Sequence, residues 1–141
     1  MFHTYDFICL QETRICGMVR KNEFQGYTAF FSGHEYKREY GVGLLVKTSL
    51  AKGVRYTDYV DDRILIVAGI FRGTHQCIVS VYGPCRTGNP AYVDEIRILK
   101  FYDALYKALD KVPSEFRANT IIMGDYNARV GRTVPESDGI Y

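Results

Sequence analysis

The stretch 121–131, "IIMGDYNARVG", decides the reading of this chain, because an apolar run stops abruptly on Asp125, an aromatic residue, Asn127 and then Arg129. Ile121 to Met123 read as the end of a buried strand, and Gly124 removes the side chain where the backbone must turn. The strand thereby delivers Asp125 and Asn127 to a rim. Two residues apart, a carboxylate and a carboxamide can face one cleft. They can equally form an Asx-rich turn in which each bonds only neighbouring backbone.

Working outward, the chain reads mostly as strands. "YDFICLQE" (5–12), "YTAFFSG" (27–33), "GVGLLVK" (41–47), "RILIVAGIF" (63–71), "QCIVSVYG" (76–83) and "TIIMGD" (120–125) are short, rich in β-branched or aromatic residues, and bounded by turn residues. Gly73 and Thr74 suggest a tight hairpin between the fourth and fifth. One long helix is expected after "GNP" (88–90), with Asn89 as cap and Pro90 in the first turn, running to about Lys111. Ile96, Leu99, Tyr102, Leu105, Tyr106, Leu109 and Val112 recur at helical spacing and are expected in the core, with Asp94, Arg97, Lys100, Asp103 and Lys107 on the other side. The pattern is that of one layered α/β domain over 1–141, with no internal repeat or linker.

Composition narrows the function classes. With 141 residues and 47% hydrophobic content the chain can bury a core, and 24% charged residues argue against disorder. A formal charge of +2 does not by itself announce a nucleic-acid protein, although Lys37/Arg38 and Arg129/Arg132 could meet phosphates. The four cysteines, Cys9, Cys16, Cys77 and Cys85, form no CxxC pair, which favours a reduced intracellular setting over a disulfide or metal-ribbon scaffold. The longest apolar runs, such as 64–71, fall far short of a membrane span, and a soluble protein without membrane contact is expected.

Three strand ends carry polar residues that a plain core does not require: Gln11-Glu12-Thr13, Tyr82-Gly83-Pro84, and Gly124-Asp125-Tyr126-Asn127. Together with Gly41-Val42-Gly43, and with the helix between the second and third motifs, this order resembles the endonuclease/exonuclease/phosphatase superfamily, the deoxyribonuclease-I-like phosphodiesterases. The passage 101–131 is similar, more narrowly, to the endonuclease domains of non-long-terminal-repeat retrotransposons and to the craniofacial development protein 2-like proteins. The resemblance implies a partial four-layer α/β sandwich, in which two facing mixed β-sheets carry outer helices.

The resemblance also implies a chemistry. A phosphodiester is anionic and repels a nucleophile, so a hard cation held by carboxylate oxygen, Mg²⁺ or Mn²⁺, is expected at Glu12. The alternative for Glu12 is a surface acid bonded to a loop. Asp125 would orient and deprotonate the attacking water, Asn127 would donate its amide to the phosphate, and Tyr82 would hydrogen-bond the phosphate or the developing oxyanion. For Asn127 a turn and for Tyr82 core packing are the competing readings. Arg14 could reach a neighbouring phosphate. The implied partner is the phosphate backbone of DNA, and an intracellular setting, with the nucleus as one option, is expected.

Three departures from the family pattern stand out. The superfamily pairs a catalytic histidine with an aspartate near the C-terminus, whereas His3, His34 and His75 all come too early, and Gly139 follows Ser137-Asp138 where the histidine is expected. Only "MFHTY" precedes the second motif, where the family has an asparagine-bearing strand. Cys85 stands where many relatives acting on nucleic acid have an asparagine, and a thiol is a poor donor. The expectation is an incomplete domain with unpaired edges and exposed apolar faces, and a metal-dependent DNA endonuclease of retrotransposon origin, impaired, with little or no nicking of plasmid. A non-catalytic remnant binding nucleic acid or protein is the alternative, and phosphatase action on a small ester is a third reading.

Overall fold

In "ILIVAGIF" the side chains alternate between two apolar surroundings, so a strand there is buried on both faces. The computed structural model describes residues 5–87 and 90–128. The expectations that fall on His3, Asn89, Arg129, Arg132, Ser137, Asp138 and Gly139 lie outside the described residues.

The elements in chain order are β1 (Phe7–Gln11), β2 (Met18–Phe24), β3 (Tyr27–Ser32), β4 (Val42–Lys47), α1 (Thr48–Ala51), β5 (Val54–Tyr59), β6 (Ile64–Phe71), β7 (Thr74–Tyr82), α2 (Ala91–Lys111), α3 (Ser114–Arg117) and β8 (Thr120–Asp125). They build two four-stranded sheets, ordered β1-β4-β3-β2 and β5-β6-β7-β8. The first sheet is antiparallel throughout, not mixed as expected. The second is mixed, because α2 carries the chain across and lets β8 pair parallel to β7.

The two sheets face each other. Phe30, Val42, Leu44 and Val46 of the first pack on Leu65, Val67, Phe71 and Ile78 of the second, all almost fully buried. Ile64, Ile66 and Ala68 point the other way and meet Phe101, Leu105 and Ala108 of α2, with Val112 and Phe116 beyond. On the outer face of the first sheet Tyr27, Ala29, Phe31 and Leu45 are buried under Ile8, Leu10, Ile15, Val19 and Phe24. No helix covers that face among the described residues, so three of the four expected layers are present there.

Several local expectations need correction. The β6–β7 turn is Arg72-Gly73, both at positive φ, and Thr74 already belongs to the ladder. Pro90 occupies the cap position of α2, in extended conformation, and its carbonyl accepts from the Val93 amide. The buried stripe of α2 runs through Asp94, Phe101, Leu105 and Ala108. Ile96, Leu99 and Tyr106, expected in the core, are exposed, and Asp94, expected outside, is buried. Asp94 is accommodated because it accepts from the Thr87 amide and hydroxyl and from Arg97, so its charge is paired. The helix therefore sits rotated from the phase its leucines and tyrosines suggest.

Candidate functional site

All the strand-end motifs meet at one end of the two sheets, and a run of backbone hydrogen bonds ties them together. The Thr13 and Arg14 amides donate to Gly41 and Tyr40 carbonyls, and the Gly41 amide crosses to the Asp62 carbonyl of the second sheet's β5–β6 loop. There the Tyr82 amide donates to the Arg63 carbonyl and the Gly83 amide to the Asp125 carbonyl, at 2.8 and 2.6 Å. Register supports this, since Tyr82 lies beside Asp125 in the parallel β7–β8 pair. Ser32 adds a further tie, its hydroxyl donating to the Asp61 carbonyl.

Glycine is required at two of these junctions. A Cβ on Gly83 would stand 2.3 Å from the Tyr126 carbonyl oxygen, and one on Gly124, whose φ is +147°, 1.9 Å from that of Val81. Strained backbone collects here as well. Glu12, Arg14, Tyr40 and Asn127 all have φ near +50°, whereas the other such non-glycine residues, Gln25 and Arg72, sit in hairpin turns. Conformations of this kind persist only where surrounding contacts impose them, and they cluster at functional sites.

Glu12 follows β1 and is exposed. Its Oε1 accepts a 2.9 Å hydrogen bond from the Tyr82 hydroxyl at the end of β7, across the two sheets. Core packing and a polar role are thus both realised in Tyr82, whose ring is only 8% exposed while its hydroxyl reaches the cleft. Burial pushes the Tyr82 phenol above its ordinary value, the Glu12 carboxylate adds to that, and the Asn127 amide beside it acts in the opposite sense. The phenol therefore keeps its proton at neutral pH and acts as a donor.

Asp125 and Asn127 show the Asx turn directly, with Asp125 Oδ1 accepting from the Asn127 amide at 2.8 Å. The Asn127 side chain donates to the Gly83 carbonyl at 2.7 Å, pinning the two strand ends to each other. The same Asn127 amide lies against the Tyr82 phenol, which ties the Asp125–Asn127 turn to the Tyr82–Glu12 pair. Arg14, with Glu12, Glu39, Tyr40 and Tyr82, lines a cavity of about 290 Å³. A second cavity, of about 680 Å³, is bordered by Arg86, Phe101, Tyr102, Tyr126 and Asn127.

The structure brings Glu12, Tyr82, Asp125 and Asn127 to one end of the sandwich and leaves the described histidines out. His34 Nδ1 accepts from the Tyr36 and Lys37 amides within its own loop, and His75 packs on Phe116 at the start of β7. Lys37 and Arg38 are exposed in that same loop, and exposed Cys85 offers its carbonyl to Arg97. Sequence reasoning missed Tyr40 and Arg63, which sit in the loops leading into β4 and β6.

For a divalent cation the donor set is sparse. Among the described residues no three His, Cys, Asp or Glu side chains converge. Among the described residues Glu12 Oε2 meets no hydrogen-bond partner, and neither do the buried Gln11 Nε2 and Thr13 Oγ1 on either side of it in sequence. One carboxylate oxygen facing a polar cavity fits a hard cation that keeps most of its water.

The sequence of residues 1–138 matches the model of the Endonuclease/Exonuclease/phosphatase family. No curated protein matches the chain. With the strand-end motifs and the two-sheet architecture in agreement, the chain belongs to the endonuclease/exonuclease/phosphatase family, whose chemistry is hydrolysis of phosphodiester or phosphoester bonds.

Proposed function

We propose that this site hydrolyses phosphodiester bonds of DNA with the help of Mg²⁺ or Mn²⁺. The observation that carries the reading is the Tyr82–Glu12 hydrogen bond, which draws an acid, a protonated phenol and the Asp125–Asn127 turn to one end of the fold. Assignment to the retrotransposon type of endonuclease, and hence to DNA and the nucleus, draws support from the similarity of passage 101–131 and from Arg14 and Arg86 beside the two cavities.

Glu12 would hold the cation through Oε2. When bound, it would offset phosphate charge and acidify a water. Asp125 Oδ2 takes a proton from the attacking water, the water oxygen forms the new bond to phosphorus, and the bond to the leaving oxygen breaks. Tyr82, which keeps its proton, would turn its hydroxyl from Glu12, and Asn127 its amide from the Tyr82 phenol, to donate to phosphate oxygens as charge accumulates there. Among the described residues no histidine reaches the site, and water would supply the proton to the leaving oxygen. A positioned acid or base is worth about 10²–10⁴-fold in rate, and nicking of ordinary DNA is depressed accordingly.

The test is supercoiled-plasmid nicking at high protein concentration with Mn²⁺, with Glu12→Gln and Asp125→Asn beside the parent chain. Slow nicking that both substitutions and chelation remove supports the proposal. Nicking indifferent to both, or DNA binding with no cleavage of any phosphodiester, favours the non-catalytic remnant.

A further inference from the structure

Arg63 precedes the buried strand β6 and has no part in the chemistry above, yet its carbonyl and its guanidinium are both engaged with Tyr82. Its carbonyl accepts from the Tyr82 amide at 2.8 Å, and its guanidinium Nη1 donates to the Tyr82 carbonyl at 3.0 Å. One residue thus satisfies both backbone groups of the other. The guanidinium carbon also lies 4.3 Å from the centre of the Tyr40 ring and 5.2 Å from that of Tyr82, both within cation–π range. Those two rings lie 6.1 Å apart, so the cation bridges them.

Arg63 is itself held in place. Its amide donates to Asp61 Oδ1 at 2.8 Å, and the neighbouring Asp62 carbonyl takes the Gly41 amide from the other sheet. Among the described residues its guanidinium forms no salt bridge, so its charge is balanced by ring faces and a carbonyl. A planar group is suited to this, since it can lie against a ring while its edge donates to a carbonyl. An ammonium cannot do both.

We infer that Arg63 is a positioning residue, which fixes the Tyr82 ring between itself and the core so that the Tyr82 hydroxyl is aimed at Glu12. Tyr82 ends its strand, and beyond it the chain turns through Gly83 and Pro84, so the ladder alone does not fix the ring. Arg63 supplies the missing restraint from the adjacent strand, and Tyr40 closes the other side of the guanidinium. The catalytic consequence rests on the proposed role of Tyr82 in hydrolysis, whereas the positioning itself does not.

The experiment is ¹³C NMR of the Glu12 side-chain carboxyl at constant neutral pH in the parent chain, Tyr82→Phe, Arg63→Met, Arg63→Lys and the Arg63→Met/Tyr82→Phe double variant. Tyr82→Phe is expected to move the Glu12 signal, Arg63→Met to move it in the same direction, and the double variant to add nothing further. Arg63→Lys should fall between and serves if Arg63→Met does not fold. A Glu12 signal that stays in place in the foldable Arg63 variants while Tyr82→Phe moves it, or that Tyr82→Phe itself leaves unmoved, overturns the inference. Hydrolysis of bis(p-nitrophenyl) phosphate gives the second readout, where Arg63→Met should lower kcat on the order of 10-fold to 100-fold with KM little changed, and cost nothing more in the Tyr82→Phe background. A rise in KM that persists in that background would make Arg63 a direct phosphate ligand and contradict positioning. If no chain hydrolyses the diester, the reading of the reaction fails while the Glu12 signal still judges Arg63.

Discussion

The Tyr82 hydroxyl donates to Glu12 Oε1 at 2.9 Å, joining the last residue of β7 in one sheet to the residue after β1 in the other. Replacing Tyr82 by Phe keeps the ring packing and removes this donor together with the contact of its oxygen with the Asn127 amide. Because Glu12 is exposed and water can take the vacated place, stability should fall by only about 0.5–1.5 kcal/mol in urea unfolding. Metal-dependent hydrolysis should fall at least tenfold, which steady-state rates on an activated diester would show.

Gly124→Ala should be far more damaging. The φ of +147° and the approach of a Cβ to 1.9 Å from the Val81 carbonyl oxygen force β8 away from β7. A loss of about 2 kcal/mol or more is expected in denaturant unfolding, with the amides of Val81 and Gly83 losing hydrogen-exchange protection first.

Asp94→Ala removes the acceptor of the Thr87 amide and hydroxyl and the partner of Arg97. Arg97 can relax toward water, so the cost is set mainly by Thr87 and the loop after Pro84, at about 1–3 kcal/mol. Thermal unfolding measures it, and unchanged stability would mean that the loop is held by other contacts.

These sites show what could be read from the residues. The six expected strands all form, and β8 spans residues 120–125 as expected, but β8 is a half-buried edge strand and not the buried one its apolar run suggests, with Ile121 exposed. Two strands went unread. "MVRKNEF" (18–24) and "VRYTDY" (54–59) are edge strands whose polar residues face water, so hydrogen bonding to a neighbour, rather than side-chain pattern, defines them. The phase of α2 was misread because Asp94 is buried through pairing and Leu99 is exposed, a choice set by tertiary contacts. Of the candidate site, Glu12, Tyr82, Asp125 and Asn127 were legible as strand-end motifs. The Arg63–Tyr40 clamp was not, since neither residue lies near Tyr82 in sequence.

The exposed face of α2 yields a separate expectation. Tyr92, Ile96, Leu99 and Tyr106 follow one another at helical spacing and are 65%, 48%, 67% and 65% exposed. An Ile96→Lys/Leu99→Lys chain should bind less hydrophobic dye and stay monodisperse at higher concentration, with stability changed by no more than about 0.5 kcal/mol per site. A large loss of stability would show that these side chains are buried in solution.

Stability should also decline at high pH. Burial pushes the Cys9 thiol up to about 11 from 9.0, and raises Cys77 for the same reason. The unfolded chain therefore releases thiol protons first, and stability is full below about pH 9 and lost as pH climbs toward 11. Tyr59 and Tyr82, raised by burial as well, extend the same limb above pH 10. Cys9→Ala should flatten the slope of unfolding free energy over this window by up to about 1.4 kcal/mol per pH unit.

The central claim, that Glu12 and Asp125 form a cation-dependent phosphodiester-cleaving site, is tested most directly with bis(p-nitrophenyl) phosphate. Its nitrophenolate departs without needing a proton, so the absence of a positioned histidine among the described residues matters little. Initial rates with Mn²⁺ should rise well above metal in buffer alone, fall at least 10²-fold in both Glu12→Gln and Asp125→Asn, and vanish on chelation. A rate no higher than that of metal in buffer, or one that survives both substitutions, would contradict the account.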